Sequence, residues 1–253
     1  MLRPRIIPVL LLKENFLVKS VKFKKHVYIG DPLNAVKLFN DLKADELVFL
    51  DINASKNGTV VSFDLVREIG EEANMPFAVG GGINSLNQIE TLIKAGAERI
   101  IIGNEAAVNP EFISTAAKAF GSSTITVCID VKKNLFGKEL VYSLNGKKAH
   151  RYNVLDFAKL MQQNGAGELI VQSIEKDGVM KGYDKDLIKT VSDAVTVPVV
   201  ALGGAGSYCH LEEMYDFCKV RGLGSGSTFV YQNEMKGVLI NFPNLKEKKK
   251  IYE

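Results

Sequence analysis

The segment ELVFLDI at residues 46–52 recurs as ELIVQSI at residues 168–174, and VGGGINSLNQI at 79–89 recurs as LGGAGSYCHLE at 202–212. The copies are separated by 122 and 123 residues, so about half of the chain is duplicated in register. Each copy joins a β-rich apolar run to a glycine-rich turn, which is typical of an eight-stranded barrel built from two half-barrels. The repeat therefore predicts two related phosphate-binding corners and a substrate with a phosphate at each end.

The length and composition favour one α/β domain. The chain has 253 residues, of which 46% are hydrophobic, and a (βα)₈ barrel typically takes roughly 250 residues. We predict a single (βα)₈ TIM barrel over residues 1–253, with half-barrels at about 1–121 and 122–253. Glycine and proline interrupt the atypical tail at 231–253, so the eighth helix is expected to be short, displaced or absent.

Apolar, β-branched runs alternate with longer stretches of helical period, which is the pattern of parallel strands with crossover helices. The predicted strands are 5–12, 46–52, 76–81, 99–103, 124–131, 168–174, 198–204 and 222–227. The predicted helices are 32–43, 61–73, 85–96, 110–121, 153–165, 186–195 and 211–220. The segment 132–152 has the signal of a hairpin and is predicted to cross one mouth of the barrel.

The charge pattern favours neither a nucleic-acid partner nor a membrane span. The net charge is +3, and the basic runs KFKKH at 22–26 and KEKKK at 246–250 lack interleaved aromatic residues or a recognised motif. Such runs are usually solvated surface lysines. The apolar run near the N-terminus is too short to span a bilayer and lacks the cleavage site of a signal peptide.

The cysteine and histidine patterns indicate a reducing compartment and no metal. The three cysteines, Cys128, Cys209 and Cys218, include no CxxC spacing, which is typical of a cytoplasmic protein. The three histidines are scattered without ligand spacing. We therefore expect no metal site and no cofactor.

Carboxylates and glycines follow the predicted strands, at the rim where the active sites of such barrels lie. The carboxylates are Asp51, Asp130, Glu175 and Asp177, and the glycine clusters are Gly80 to Gly82, Gly103, Gly203 with Gly204 and Gly206, and Gly224 with Gly226. Glycine lets backbone N–H groups approach an anion closely. One glycine pair is explained by turn formation alone, whereas matching pairs in a repeat favour phosphate binding.

Two of these carboxylates have alternative interpretations. Asp130 ends an apolar strand and is either an acid/base group or the anchor of a loop, and the spacing leaves both open. Asp51 is a candidate for substrate binding, although a strand-end aspartate often bonds to neighbouring loop amides instead.

A set of segments lies in register over about residues 1–230: RIIPVLLLK (5–13), GDP (30–32), ADELVFLDINAS (44–55), VGGGI (79–83), GAERI (96–100), NP (109–110), CIDVK (128–132), NGAGELIVQSIEKDGVMKGYD (164–184) and PVVALGGAG (198–206). Together they resemble the cyclase subunit of imidazole glycerol phosphate synthase. The resemblance implies a lyase-type TIM barrel that forms a heterodimer with a glutaminase subunit docked at its amino-terminal face. It further implies that ammonia passes through the barrel to a ribulosyl substrate carrying two phosphates, in histidine synthesis.

The resemblance also implies an ammonia gate at the barrel floor. The gate residues would be Arg5, Glu46, Arg99 and Glu168, with Glu98 on the glutaminase-facing side. Opposite charges in a ring can hold one another and part transiently. The alternative is a salt-bridge ring that only stabilises the fold, and the two roles are compatible.

For the phosphates, the resemblance implies the residues Gly82, Asn104, Asp177, Gly178, Gly204, Gly226 and Ser227. The chain departs from the family at Gly103, where the family has Asn, and at Leu202, where it has Ser. Backbone donors survive these changes, whereas side-chain donors are lost.

The largest departure is at position 11. The family uses two strand-end aspartates as general acid and base, and the repeat aligns RIIPVLLLK with TITVCIDVK, so that Leu11 stands opposite Asp130. Leucine cannot transfer a proton, and loss of a positioned acid or base costs about 10²–10⁴-fold in rate. Gln172 replaces a small hydroxyl residue, and KENFLVKS at 13–20 replaces the usual KDGRVVKG.

The tail FVYQNEMKGVLINFP at 229–243 resembles a paralogous group associated with surface-polysaccharide enzymes. In that group the barrel and its glutaminase supply ammonia to a sugar amidotransferase, which converts an N-acetyl group to an acetamidino group. An ammonia conduit needs no second aspartate, so this hypothesis fits Leu11. The alternatives are a genuine cyclase subunit of histidine biosynthesis, impaired by Leu11, and a non-catalytic activator of the glutaminase.

Overall fold

A computed structural model describes residues 3–134, 136–232 and 237–253 of the chain. The strands are β1 (Arg5–Lys13), β2 (Phe16–Val21), β3 (Lys24–Gly30), β4 (Leu47–Asp51), β5 (Phe77–Gly80), β6 (Arg99–Ile102), β7 (Ile125–Lys133), β8 (Glu139–Ser143), β9 (Lys148–Asn153), β10 (Glu168–Ser173), β11 (Val199–Leu202), β12 (Gly222–Ser225), β13 (Tyr231–Gln232) and β14 (Gly237–Val238). The helices are α1 (Pro32–Asp41), α2 (Ala54–Asn57), α3 (Phe63–Glu72), α4 (Leu86–Lys94), α5 (Asn104–Val108), α6 (Glu111–Phe120), α7 (Val154–Gln163), α8 (Lys185–Ala194), α9 (Tyr208–Cys218), α10 (Ser227–Val230) and α11 (Leu245–Tyr252), and Ser122–Thr124 forms one 3₁₀ turn.

Eight parallel strands close into a barrel. Their order is β1, β4, β5, β6, β7, β10, β11 and β12, and β1 pairs in parallel with both β4 and β12. Each predicted barrel strand is confirmed, with ends that differ by no more than two residues. The predicted α/β fold, a (βα)₈ TIM barrel, is therefore confirmed.

Side-chain alternation along the strands produces two apolar layers. The inner layer fills the barrel and consists of Ile7, Val9, Val48, Ala78, Ile101, Ile170, Val200 and Leu202, with Leu50 and Cys128 packed against it. The alternate residues, such as Ile6 and Leu10 of β1, point outward into a larger core beneath the helices. The barrel interior is thus packed with aliphatic groups, as in other barrels of this size.

The seven predicted helices correspond to α1, α3, α4, α6, α7, α8 and α9. Side-chain caps start five of them, through Asp31, Ser62, Ser85, Asn153 and Asp184. In the described part of the chain, no helix is long and apolar enough to cross a bilayer.

Two hairpins extend from barrel strands at the carboxyl-terminal rim. The predicted hairpin at 132–152 is confirmed as β8 and β9, although Leu135 of that segment lies outside the described residues. A second hairpin, β2 and β3, follows β1 and was not predicted. Its turn at Lys22 and Phe23 has φ of 53° and 60°. Such two-residue turns usually contain Asn-Gly or Asp-Gly, so the sequence lacks the ordinary signal.

The two hairpins reveal the repeat in the element order. A hairpin follows β1 and precedes α1, and a second hairpin follows β7 and precedes α7. A hairpin at the matching place therefore occurs in both halves of the barrel. The boundary of the half-barrels at about residue 121 stays a prediction.

The eighth helix, α11, is short, which is one of the alternatives expected for the tail. After β12 the chain first forms the four-residue α10, and α11 later packs beside α9. Phe242 connects this tail to the barrel, with ring centroids 5.5 Å from Phe229 and 6.4 Å from Phe39. Residues 233–236 of the predicted tail lie outside the described residues.

We expect Phe242→Ala to lower the free energy of unfolding by about 3 kcal/mol, because a buried ring is lost and a cavity remains. Phe242 is 6% exposed, whereas Leu245 of the same tail is 78% exposed. The control Leu245→Ala should change stability by less than about 0.5 kcal/mol. Urea unfolding followed by circular dichroism measures both, and equal effects would show that the tail is not docked through Phe242.

Candidate active site

Two cavities open at the carboxyl-terminal rim. The large cavity is lined by residues of β1, β4, β6, β7, β10, both hairpins and the loops after β4, β5 and β6, among them Asp51, Gly82, Asn104, Cys128 and Asp130. The small cavity is lined by Lys19, Asp177, Gly178, Gly203, Gly204, Ser225, Gly226 and Ser227 with neighbouring apolar residues. Leu11 and Gln172 line both cavities and therefore lie between them. The predicted residues of the two phosphate corners are thus divided between two adjacent cavities.

Asp130 of β7 faces the large cavity at the level where the pairing of β7 with β10 ends. Asp130 is half-buried, and the Cys128 thiol lies 3.8 Å from its Oδ1. Burial raises the pKa of Asp130 to about 7, with a smaller contribution from the charge of Asp177 and a small opposing one from the Cys128 hydrogen bond. A carboxyl group with a pKa near neutrality can both accept and donate a proton at physiological pH. Burial likewise raises the pKa of the Cys128 thiol, which keeps this group neutral.

Asp51 lies in the same cavity but is engaged with backbone. Its Oδ1 accepts hydrogen bonds from the amides of Asn53 at 2.9 Å and Ala54 at 3.0 Å. Burial raises its pKa, and these two amides oppose the increase. Asp51 therefore anchors the loop that opens α2, which is the structural alternative that the sequence left open.

The glycine turn after β5 forms one wall of the large cavity. Gly82 has φ of +70°, and a Cβ atom there would lie 1.9 Å from the Thr59 carbonyl oxygen. Only glycine fits this turn without moving the backbone. Asn104 lines the same cavity at the start of α5.

The small cavity is enclosed by the matching glycines of the second half. Gly178 and Gly204 have φ of +64° and +111°, and a Cβ atom on either would lie within 2.1 Å of a neighbouring carbonyl oxygen. Gly226 and Ser227 complete the wall at the end of β12. The backbone can thus approach a ligand closely in both corners.

Lys19 is a candidate residue that the sequence analysis missed. Lys19 is 5% exposed. Its Nζ lies so close to Gly226 that a Cβ atom on this glycine would be only 2.1 Å away. Burial lowers the pKa of Lys19, against the opposing effect of the Asp177 charge. A buried cation in a glycine-lined corner is suited to binding phosphate. The available signal was the alternation of KENFLVKS, which places Lys19 on one face of β2.

Asp177 holds the first hairpin in place. Its Oδ2 accepts hydrogen bonds from Ser20 Oγ at 2.8 Å and from the Phe23 amide at 3.2 Å. Its backbone oxygen accepts a further bond from the Lys22 amide. The carboxylate thus connects the second half of the barrel to the hairpin above the cavities.

The opposite end of the barrel carries a closed ring of charge, which we call the floor ring: Arg5, Glu46, Arg99 and Glu168. Arg5 pairs with both glutamates, and Arg99 Nη1 lies 2.9 Å from Glu46 and 3.3 Å from Glu168. Burial raises the pKa of Glu46 despite both arginines. Burial lowers the pKa of Arg5, but the two glutamates outweigh it, so that the net change is upward. Glu98 is exposed beside Arg99 on the same side.

One polar group lies between the floor ring and the large cavity. Thr126 pairs in register with Glu168, and its side chain belongs to the inward set with Cys128 and Asp130. Among the buried side-chain atoms that the structure describes, Thr126 Oγ1 is the one without a hydrogen-bond partner. The remaining lumen is aliphatic.

A duplicated (βα)₈ barrel with two glycine-lined corners at one rim and a charged ring at the other defines a narrow class of proteins. The sequence profile of the family described as histidine biosynthesis protein matches residues 5–236. The chain is 44% identical over its full length, and over 98% of the relative, to a Vibrio vulnificus protein with the provisional name imidazole glycerol phosphate synthase subunit hisF3. It is 38% identical, over 97% of the chain and 98% of the relative, to a Pseudomonas aeruginosa protein with the provisional name subunit hisF2.

A further relative is the imidazole glycerol phosphate synthase subunit HisF of Streptococcus mutans, which is 36% identical over 91% of the chain and 92% of that protein. The chain therefore belongs to the HisF family of imidazole glycerol phosphate synthase subunits. The family resemblance that the sequence motifs predicted is confirmed at this level.

We expect Asp130→Asn to stabilise the protein above pH 7. Between about pH 4 and about pH 7 the unfolded chain loses this proton while the folded chain keeps it, so the free energy of unfolding of the unchanged protein falls as pH rises. Asparagine removes this dependence. The gain above pH 7 should be a few kcal/mol, since one pKa unit corresponds to about 1.4 kcal/mol. Denaturant unfolding from pH 4 to pH 8 measures it, with the exposed Asp64→Asn as control, and parallel pH profiles would contradict the raised pKa.

Glu46→Gln tests the strength of the floor ring. Glutamine leaves Arg5 and Arg99 with one carboxylate, and breaking a buried ion cluster costs about 3 kcal/mol. The same substitution at Glu90, which forms an exposed pair with Lys94, should cost less than about 0.5 kcal/mol. Equal midpoints of thermal unfolding for the two variants would mean that the ring contributes no more than a surface pair.

Proposed function

We propose that this chain is the barrel subunit of a glutamine-dependent system in which ammonia enters at the floor ring and leaves at the mouth, for the acetamidino modification of a surface-polysaccharide sugar. A glutaminase of the type that partners HisF proteins would dock at the floor, over Glu98 and the ring. A sugar amidotransferase would be the acceptor. The observation that carries this proposal is Leu11, which lines both cavities where the family has its second catalytic aspartate.

The floor ring supports entry at this end. Its four side chains are linked only to one another around the axis, so separation of Arg99 from Glu168, the longer contact at 3.3 Å, would open the ring while the other pairs persist. Glu98 supplies an exposed charge beside it for a partner. The ring is thus suited both to stabilise the barrel and to admit a small molecule.

The aliphatic lining of the barrel interior favours passage of a neutral molecule. Beyond the ring, a molecule meets the aliphatic layer that contains Ile7, Val48 and Ile170. Such a layer opposes passage of an ion, because desolvation of a charge costs far more than desolvation of a neutral molecule. Thr126 Oγ1 offers the one free hydrogen-bonding contact among the described residues of this layer. Ammonia can form a hydrogen bond with this hydroxyl group, whereas the charge of an ammonium ion would have no counter-charge in the layer.

The carboxylates at the mouth favour a site with less acid/base chemistry than a cyclase needs. The carboxylates that line the large cavity are Asp51, Asp130 and Glu105, and Asp51 is bonded to loop amides. Asp130 therefore has no matching acid at the position of Leu11. Delivery of ammonia needs no such pair, whereas a ring closure that uses both an acid and a base does.

The relatives give further support. Two of them carry the numbered names hisF3 and hisF2, as additional copies do, and the hisF3 protein matches the whole chain, including the tail at 231–253. The profile of the histidine biosynthesis family ends at residue 236.

A genuine cyclase is the second candidate, favoured by the phosphate corners. Both corners retain their glycines, and Lys19 adds a buried cation to the small one. A substrate with two phosphates could span the cavities across Leu11 and Gln172, with Asp130 as the sole proton-transfer group. This candidate requires activity without the second aspartate.

We expect the purified chain, supplied with ammonium chloride and the ribulosyl bisphosphate substrate, to turn over at least about 10²-fold more slowly than an ordinary HisF subunit. Leu11→Asp should raise this activity by about 10²-fold, and Leu11→Asn, which has a similar shape but no carboxyl group, should not. Imidazole glycerol phosphate formation measures all three. An ordinary rate for the unchanged chain would establish the cyclase instead. Stimulation of a glutaminase with no transfer of ammonia to any sugar acceptor would favour a pure activator.

A further inference from the structure

The two mouth hairpins concentrate positive charge far beyond the rest of the chain. Residues 13–30 contain five lysines and one glutamate, and residues 132–153 contain six lysine or arginine residues and one glutamate. These segments thus carry a formal charge of +9 within a chain of net charge +3, so the remainder carries −6. The two hairpins that cover the mouth are therefore strongly positive.

Five of these lysines surround the point where the hairpin turns meet, and we call them the roof cluster: Lys22, Lys24, Lys25, Lys147 and Lys148. The turns are in contact, because a Cβ atom on Gly146 would lie 3.6 Å from the Phe23 ring and 3.1 Å from Ile174. All five side chains are exposed. Within the described residues, none of them forms an ion pair.

The roof cluster lies directly above the large cavity. Phe23 and His26 of the first hairpin and Leu144 and Asn145 of the second line this cavity. The lysines are their immediate neighbours in sequence. A ligand that reached out of the cavity between the turns would therefore pass the roof cluster.

The backbone adds a second cost at the same place. Lys22 and Phe23 have positive φ, and so do Leu144 and Asn145 of the opposing turn. This conformation is unfavourable for most residues other than glycine and asparagine. Like charges crowded on strained turns repel one another, and an anion between them would relieve the repulsion.

We propose that the roof cluster binds a diphosphate group of the ligand, outside the two phosphate corners. A diphosphate that links a sugar to a nucleotide or a lipid is compact and carries about two negative charges, which suits several exposed ammonium groups better than a single carboxylate does. This inference rests on the proposed function, since a diphosphate outside the cavity is what a nucleotide-linked or lipid-linked sugar would present. The ligand would then be larger than a small sugar bisphosphate.

The test is titration of the full chain with inorganic pyrophosphate and with uridine diphosphate, measured by calorimetry. The variant Lys24→Gln with Lys147→Gln removes one lysine from each turn and should weaken both ligands by about tenfold. The matched control, Lys249→Gln with Lys250→Gln, removes two exposed lysines from α11 and should leave both affinities unchanged. Equal weakening by the two variants, or none, would overturn the inference.

Lys19→Gln separates this inference from the phosphate corners. If this variant abolishes pyrophosphate binding while the roof variant binds normally, the corner is the site and the roof inference fails, but the proposed function stands. Vesicles of phosphatidylglycerol distinguish a lipid source. Vesicle binding that pyrophosphate displaces supports a lipid-linked diphosphate, whereas binding that pyrophosphate does not displace indicates a general membrane surface and overturns the inference.

Discussion

All eight strands of the closed sheet run in one direction, and this constraint determines where every candidate group lies. The amino ends of the strands meet at the floor, which collects Arg5, Glu46, Arg99 and Glu168 from distant parts of the chain into one ring. The carboxyl ends meet at the mouth, where the glycine turns form both corners. Strand alternation then separates an aliphatic lumen from the outer core. Direction and alternation together thus produce a barrel with different chemistry at each end.

Much of this arrangement could be predicted from sequence, because each barrel strand is an apolar run bounded by a turn signal and the repeat fixes the register of the halves. The hairpin of β2 and β3 could not, since its turn contains Lys22 and Phe23 in place of the residues that usually mark such turns. Lys19 was missed for the same reason. Its neighbours, Asp177 and Gly226, come from the other half of the chain and are brought to it by that hairpin.

Asp130 and Asp51 show how similar sequence positions acquire different roles. Asp51 ends β4, and Asp130 lies where the pairing of β7 with β10 ends. Asp51 is compensated by two loop amides, whereas the hydrogen bond that Asp130 receives is a weak one from a thiol. Asp130 therefore lowers the stability of the folded state at neutral pH. A titratable group that costs stability and faces a cavity is characteristic of a functional site. Since Leu11 provides no acid opposite it, the mouth holds one proton-transfer group, which suffices for a step that moves a single proton.

The floor and the mouth differ most in how their charges are balanced. At the floor each arginine contacts both glutamates, so the ring is complete without any other molecule. At the mouth, Lys19 is balanced in part by Asp177, but the exposed lysines of the two turns form no ion pair among the described residues. Balanced charges hold a structure together, whereas unbalanced charges on strained turns lower its stability until an anion arrives. The charges are therefore paired within the barrel at the end where, in the proposed function, a protein partner would supply ammonia. They are unpaired at the end where a negatively charged acceptor would receive it.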